Sequence, residues 1–394
     1  MVSYQEIGQF VVRHEKQMFS LLKDMVLVQS GSYNKSGIDK LVHLIADFFV
    51  DLAFPVREIP EQNLGNHLLV STEGCVSKDR SILVTGHTDT VYPEDTSFNW
   101  FKEDDEKVYG PGVIDMKGGL VVGMFALKAL HEFELSEVIP VKFLFNSDEE
   151  IGSPGSQKII RDLARRSLFG FVLECGGLDN SVVTGRKGKI GLRIQVKGGA
   201  GHAAFASTGK PSAILELAHK IIKIEKLNQL SEGISVNVGK VSGGTRPNVV
   251  ARDAEALIDI RYMREEQRES ILSRLEDIVK KPFLGGVSGK LEIISERPPM
   301  PRTEGNKKVY GVIQEVGKKL GIDIQEDYRN GVSDANLMAA EGLPVVDGLG
   351  PVGDLDHSEK EYMIKNTLPE RTALFIATLI ESWNRRNELS VVDY

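Results

Sequence analysis

Three apolar runs in this 394-residue chain each lead into an acid or a histidine. Ser81–Thr85 leads through Gly86 to His87-Thr88-Asp89, Val141–Asn146 to Asp148-Glu149-Glu150, and Phe171–Leu173 to Glu174. A strand that is apolar on both faces has to be covered on both faces, as in a parallel sheet sandwiched by helices. In such sheets the residues just beyond the carboxyl ends of the strands line the functional crevice. Two more acidic or histidine motifs lie at Gly-rich turns: Asp115-Met116-Lys117-Gly118 after Gly110-Pro111-Gly112, and Asp356-His357 closing the stretch 350–357. The fold and the chemistry therefore point to the same places.

The rest of the pattern fits an α/β chain with an insertion. Apolar residues at three- and four-residue spacing predict helices over Tyr4–Met25 and Gly37–Val50. A further short strand is expected at Asn66–Val70, and Gly118–His131, apolar almost all round, is expected to be a buried helix. The character changes near Arg186. Ile190–Lys197 alternates apolar and polar, which marks a strand with one wet face. Then come a helix over Pro211–Leu227, strands over Ile234–Val241 and Ala254–Tyr262, a charged helix through Arg264–Lys280 and a strand at Lys290–Ser295. This β-α-β-β-α-β order is the split βαβ, ferredoxin-like arrangement. Arg297-Pro298-Pro299-Met300-Pro301 reads as a hinge, and Lys307–Leu320 returns to helix. The expected organisation is a discontinuous α/β domain, 1–186 and 299–394, with a mixed, mostly parallel sheet between helices, and an α+β domain inserted at 187–298.

Composition narrows the partners. A formal net charge of −8 argues against nucleic acid and anionic membrane, both of which require a basic face. Met1–Lys16 has no apolar core of a secretory signal, and no run approaches the ~18–20 apolar residues of a membrane span. Cys75 and Cys175 are the only cysteines, which suits free thiols in a reducing cytoplasm.

Taken singly, each motif has a plain reading: His87 and His202 as turn histidines, Asp115 as a helix N-cap, Asp148-Glu149-Glu150 as a solvated loop. Together they suit metal chemistry. Asp89, two residues from His87 in extended backbone, can accept one imidazole N–H and free the other nitrogen for a metal. Three consecutive acids at the end of an apolar strand repel one another unless a cation is near. Two histidines and several carboxylates suit zinc with mixed nitrogen and oxygen ligands, and two ions sharing a carboxylate make a hydrolytic site.

The motifs His-Thr-Asp-Thr-Val (87–91), Gly-Pro-Gly-Val-Ile-Asp-Met-Lys-Gly-Gly (110–119), Asp-Glu-Glu-Ile-Gly-Ser (148–153), Gly-Gly-Ala-Gly-His-Ala (198–203) and Arg-Pro-Asn-Val-Val (246–250) resemble those of the M20 metallopeptidases, most closely the glutamate-carboxypeptidase-like branch. The resemblance runs from about Ser81 to Tyr362. It implies a catalytic domain with an inserted lid that also forms a homodimer, and two Zn2+ per subunit, with Co2+ or Mn2+ as substitutes. It implies that His87 and Glu174 hold one ion, Glu150 and His357 the other, and that Asp115 bridges them, its bond to Met116 being cis. Glu149 would be general base and acid, Asp89 would orient His87, and His202 would stabilise the oxyanion of a neighbouring subunit. Asn248, Arg261, Arg297 and Gly331 would contact substrate. The implied activity is cleavage of an amide next to a free α-carboxylate, releasing a C-terminal amino acid from a short peptide or N-acyl conjugate. The alternatives are an N-acyl-amino-acid deacylase or carbamoyl amidohydrolase of the same fold and, more remotely, a non-catalytic binding protein on this scaffold.

Overall fold

The strand Ser81–His87, with all seven residues buried, stands in the interior of the central sheet of the computed structural model. The structure describes residues 2–78, 80–205 and 210–389. The sheet contains β1 (Val56–Ile59), β2 (His67–Ser71), β3 (Ser81–His87), β4 (Val141–Asn146) and β5 (Ser167–Val172), with the short strand Val345–Val346 at one edge. Their order is β1-β2-β4-β3-β5 and then Val345–Val346. β3 runs parallel to both β4 and β5, and Val345–Val346 runs parallel to β5. β1 and β2 form an antiparallel edge, and β2 pairs antiparallel with β4. The fold is thus α/β with a mixed, mostly parallel sheet.

Helices cover this sheet. α1 (Tyr4–Val26) starts in a capping box, in which the Ser3 hydroxyl accepts the Glu6 N–H and Glu6 accepts the Ser3 N–H. α2 (Lys35–Val50) presents Ile38, Leu41, Val42, Ile45 and Phe49 to the core at helical spacing. α3 (Gly118–Glu132) is buried on nearly every face and packs against the helix Thr367–Asn384. Phe143 and Phe145 stack with ring centroids 3.9 Å apart beneath these helices. Each fully buried side chain of this kind contributes roughly 1.5–3 kcal/mol, so the strand ends are set on a rigid base.

The chain divides into two compact units: Met1–Gly185, Arg302–Arg329 and Ser333–Tyr394 form the first, and Arg186–Pro301 with Asn330–Val332 form the second. The second unit is an antiparallel sheet of β6 (Gly188–Lys197), β7 (Ser235–Gly243), β8 (Asp253–Tyr262) and β9 (Ser288–Arg297), in the order β7-β8-β6-β9. α4 (Ala213–Glu225) and α5 (Glu265–Lys280) complete the β-α-β-β-α-β sequence. β8 alternates buried and wetter residues along its length, as a one-faced sheet requires. β9 extends further than its apolar residues suggest. It resumes its ladder after a bulge between Ile293 and Ser295 and pairs Arg297 with Lys189, so Arg297 belongs to the strand and not to a hinge. Pro298 and Pro299, without N–H donors, stop it there.

No helix among the described residues is long and apolar enough to cross a membrane. Cys75 and Cys175 are both free thiols.

Candidate metal centre

The parallel register of β3 and β4 sets His87 opposite Asn146, at matching strand ends. Thr88 fastens them: its N–H and its hydroxyl donate to the Asn146 carbonyl at 2.7 and 3.0 Å. The residues at and just after the two strand ends, 87–89 and 147–150, are therefore held side by side.

His87 is 1% exposed, and both of its nitrogens face acceptors. Nδ1 lies 2.9 Å from the Asp89 carbonyl and 3.4 Å from its carboxylate. Nε2 lies 3.0 Å from Asp115 Oδ1 and 3.6 Å from Glu174 Oε1. Since Nδ1 must donate to the carbonyl, Nε2 is the nitrogen left for a cation. Asp89 thus faces His87 with both its backbone carbonyl, the nearer partner, and its carboxylate. The carboxylate accepts the N–H groups of Glu149 (3.1 Å) and Glu150 (3.2 Å) and the Ser32 hydroxyl (2.7 Å). Asp89 therefore also shapes the turn carrying both glutamates.

Asp115 offers one oxygen to each histidine, since its Oδ2 is 3.1 Å from His357 Nε2. The Asp115–Met116 peptide bond is cis. His357 Nε2 also lies 3.3 Å from Glu150 Oε2. Among the described residues, three overlapping sets of donor atoms, each set within 4.8 Å, arise: His87, Glu149 and Glu174; His87, Asp115 and Glu150; Asp115, Asp356 and His357. The structure thus gathers His87, Asp115, Glu150, Glu174 and His357 into one cluster, with Glu149 beside them.

The electrostatics show how poorly this cluster is balanced by itself. Burial pulls the His87 imidazole down, but hydrogen bonds to Asp115 and Asp89 and the charge of Glu174 outweigh it and hold the ring well above its usual value. Contacts with Asp115 and then Glu150 push His357 up to about 11. Burial, then the Asp115 charge, push Glu174 well above the ordinary carboxylate range, and burial also raises Glu150 against the pull of His357. Glu150 Oε1 is buried with no hydrogen-bond partner. Donor atoms around a tetrahedral ion with bonds of roughly 2.0–2.1 Å stand about 3.4 Å apart. The His-to-carboxylate spacings of 3.0–3.6 Å bracket that value, so the residues present fit divalent ions in both chemistry and spacing.

The run of three acids does not behave as one repelling block. Asp148 turns into its own loop and accepts from Gly155 N (2.6 Å), Ser156 N (3.1 Å) and Ser156 Oγ (2.5 Å). Asp334 supports the same loop by accepting from Asn146 Nδ2 and Ser153 Oγ, each at 2.7 Å. Asp148 belongs to the three-acid motif and Asp334 closes the stretch 330–334, which resembles a family segment, but neither was expected in this supporting role; Asn146 only ends the strand before the motif, and nothing in the sequence marks Ser32. A cavity of about 380 Å³ in this unit is lined by Ser32, Tyr33, Val91, Tyr92 and Ile151, with Glu150 in its wall.

The other expected site residues all belong to the second unit. His202 is exposed and its Nδ1 accepts the Ala204 N–H at 3.2 Å. Its glycine-rich turn pairs with the Arg-Pro-Asn-Val-Val motif through Ala203 N to Asn248 O, 3.0 Å. Arg261 is pinned by Asp259 at 2.7 Å and donates to the Asn330 carbonyl at 3.3 Å. Arg297 is buried at the end of β9, and the Gly331 carbonyl accepts from Arg186 Nη1 at 3.1 Å.

The chain is similar to known proteins. Carboxypeptidase G2 of Pseudomonas sp. (strain RS-16) is 27% identical over 89% of this chain and 85% of its own length. Succinyl-diaminopimelate desuccinylase of Hydrogenovibrio crunogenus is 25% identical over 92% of this chain and 98% of its own. The crystal structure of aminopeptidase PepT from Bacillus cereus superposes with a TM-score of 0.77 at 21% identity, covering 93% of this chain and 98% of that one, which shows the shared fold. The sequence profile of peptidase family M20/M25/M40 matches residues 83–381, a span that holds every member of the metal cluster. The chain belongs to peptidase family M20/M25/M40 and is an enzyme of its metallopeptidase and amidohydrolase class.

Proposed function

We propose that this enzyme is a di-zinc carboxypeptidase that hydrolyses the amide next to a free α-carboxylate and releases a C-terminal amino acid from short peptides or N-acyl conjugates. The observation that carries the reading is the Asp115 carboxylate set between His87 and His357 with Glu149 in the same cluster. In it, His87 and Glu174 hold one ion, Glu150 and His357 hold the other, and Asp115 is shared. Bound ions of this kind lower the pKa of water and polarise a carbonyl. Glu149 takes a proton from the attacking water and returns it to the departing amine. Asp89 fixes the Glu149 backbone through its carboxylate, so the base does not wander as the proton moves. The cavity beside Glu150 suits a small substrate.

In this reading the first unit is the catalytic domain and the second a lid through which the chain forms a homodimer. Supporting the dimer are an exposed apolar stripe on α4 (Ile214, Leu215, Ile222) and the edge strand β7, which has a strand neighbour on one side only, although Asn228 and Glu225 cover the backbone of Val236 and Val238 on the other. His202 supplies an oxyanion donor to the twofold-related copy, and Asn248, Arg261, Arg297 and Gly331 contact substrate. The free thiols Cys75 and Cys175 suit a reducing, cytoplasmic setting.

A second reading, deacylation of an N-acyl amino acid, is favoured by the likeness to succinyl-diaminopimelate desuccinylase over most of both chains. It would use the same ligands and differ in the pocket, as would a carbamoyl amidohydrolase. Assay of the zinc-loaded enzyme on matched panels of dipeptides, N-acyl amino acids and N-carbamoyl amino acids, each with free and amidated C-termini, separates them. Preference for peptides with a free C-terminus is expected. Equal turnover of the C-terminal amides would exclude a carboxypeptidase.

A further inference from the structure

Glu361 is 0% exposed and lies four residues after His357, in the polar stretch Ser358-Glu359-Lys360-Glu361. A buried carboxylate is costly unless fully hydrogen-bonded, and this one is. Its Oε1 accepts from Ile114 N at 2.9 Å and Asp115 N at 3.2 Å. Its Oε2 accepts from Gly112 N at 3.0 Å and lies 2.8 Å from the Tyr92 hydroxyl. That hydroxyl is also 2.8 Å from the Ser358 carbonyl, so Tyr92 spans the same loop. The ammonium of Lys117, itself 1% exposed, donates to the Val28 carbonyl at 3.0 Å and lies within electrostatic reach of Glu361.

The small strands explain why this carboxylate is where it is. Gly353–Asp354 and Tyr362–Ile364 form an antiparallel hairpin whose loop carries His357. Tyr362–Ile364 pairs in turn with Lys107–Tyr109, the strand that feeds the Gly110–Gly112 turn and Asp115. Pairing fixes the strands but leaves the two loops beyond them free to drift apart. Gly112, at φ +72°, makes a turn that suits glycine and aims its N–H at Glu361. One carboxylate therefore spans two segments 242 residues apart that each supply a histidine or a carboxylate to the cluster.

Resting on the reading of Asp115 and His357 as metal ligands, we propose that Glu361 is a positioning residue: it clips the His357 hairpin to the Asp115 turn and so sets the spacing of the ion position those two residues share with Glu150. The residue touches neither ion nor substrate in this scheme and acts through the backbone of both ligand segments. Loss of such outer partners commonly weakens metal affinity about 10–100-fold.

The test is metal titration of the chelator-stripped full-length protein, with Zn2+ followed by calorimetry and Co2+ by its visible spectrum. Glu361→Gln keeps the shape but turns a donor toward the Gly112 N–H, where an acceptor is needed. Wild type is expected to take two equivalents. In Glu361→Gln the equivalent assigned to Glu150 and His357 is expected to weaken about 10–100-fold, with a changed Co2+ spectrum, and the other, which shares Asp115, to weaken less. A merely structural role predicts a lower melting temperature for the stripped protein with both affinities unchanged, and that result would overturn the proposal. If Glu361→Gln does not fold, Tyr92→Phe decides: a loss larger at one equivalent than at the other supports the clip, and unchanged binding overturns it. A wild-type protein that binds neither Zn2+ nor Co2+ would instead sink the ligand reading itself, and the clip with it.

Discussion

Both units bury charge, but they treat it oppositely. In the second unit Glu216 and Lys220, 0% and 1% exposed, form an ion pair at 2.8 Å one helical turn apart on α4. Glu216 also accepts from Phe283 N and Leu284 N, and Lys220 donates to the carbonyls of Ile278 and Lys281. The charges cancel and the hydrogen-bonding groups find partners within the fold. In the first unit the carboxylates of Asp115, Glu150 and Glu174 crowd around His87 and His357, and a carboxylate oxygen of Glu150 is left over. Glu216 is held below the usual carboxylate value, because Lys220 and the two N–H groups outweigh burial, whereas Glu174 is driven far above it by burial and Asp115. A buried charge that closes on itself belongs to the fold. One that needs a further cation belongs to function.

The sharpest way to break this contrast is Glu149→Gln. The amide keeps the shape and cannot take the proton, so turnover should fall by about 10²–10⁴ or more with metal content unchanged. Steady-state kinetics alongside metal analysis checks it, and near-normal activity would remove Glu149 from the mechanism. Next comes Glu216→Ala, which strands the Lys220 ammonium in the interior. It should cost about 3–5 kcal/mol in denaturant unfolding and leave the metal affinity of the folded protein alone. The same pair gives a pH signature. The Glu216 value is lowered on folding, so its contribution is fully present above the ordinary value of 4.5 and is lost as pH falls through the lowered one. Unfolding followed at falling pH should therefore show wild type converging on Glu216→Ala only in acid.

His202→Ala addresses the link between the two chemistries. Loss of an oxyanion donor should slow turnover by about 10²–10³ without releasing metal. If the histidine serves the twofold-related copy, mixing inactive His202→Ala and Glu149→Gln proteins should restore part of the activity. Exchange of subunits without such recovery would assign the histidine to its own chain or to no role. At the small end, Lys158→Ala breaks an exposed pair with Asp162 at 2.7 Å. Its melting temperature should not move measurably, because screened surface pairs contribute little. A clear drop there would blur the distinction between buried and exposed charge on which the comparison stands.

The same contrast explains what could be read in advance. His87, Glu150 and Glu174 were legible because each follows an apolar strand, where a lone polar residue stands out. Asp115 and His357 were legible because glycines surround them. Glu361 was not, since in Ser358-Glu359-Lys360-Glu361 it looks like part of a solvated loop, and only contacts to Gly112, Ile114 and Asp115 give it meaning. Ser32 reaches Asp89 across 57 positions, and Asn146 reaches Asp334 across 188. Neither leaves a periodic trace. Asp148 misled in the other direction: three acids in sequence suggest repulsion, but a strand end can send neighbouring side chains to different partners. The sheet and the inserted β-α-β-β-α-β order were legible from hydrophobic period alone, while short pieces such as Lys107–Tyr109 and Tyr362–Ile364, too brief to show a period, were not.

The hairpin that carries His357 also has a place in time. A ribosome makes the chain from its amino end, so His87, Asp115, Glu150 and Glu174 are all synthesised before the 186–301 segment, and His357 follows only after it. While the second unit is being made, the first holds four of its five expected ligands, and its sheet lacks the edge strand Val345–Val346. Glu361, the last of the connecting groups, arrives four residues after the last ligand. On the ligand reading proposed above, full-affinity metal uptake waits for the segment that follows the second unit, and a nascent chain halted within the second unit carries a half-built, acid-rich cluster.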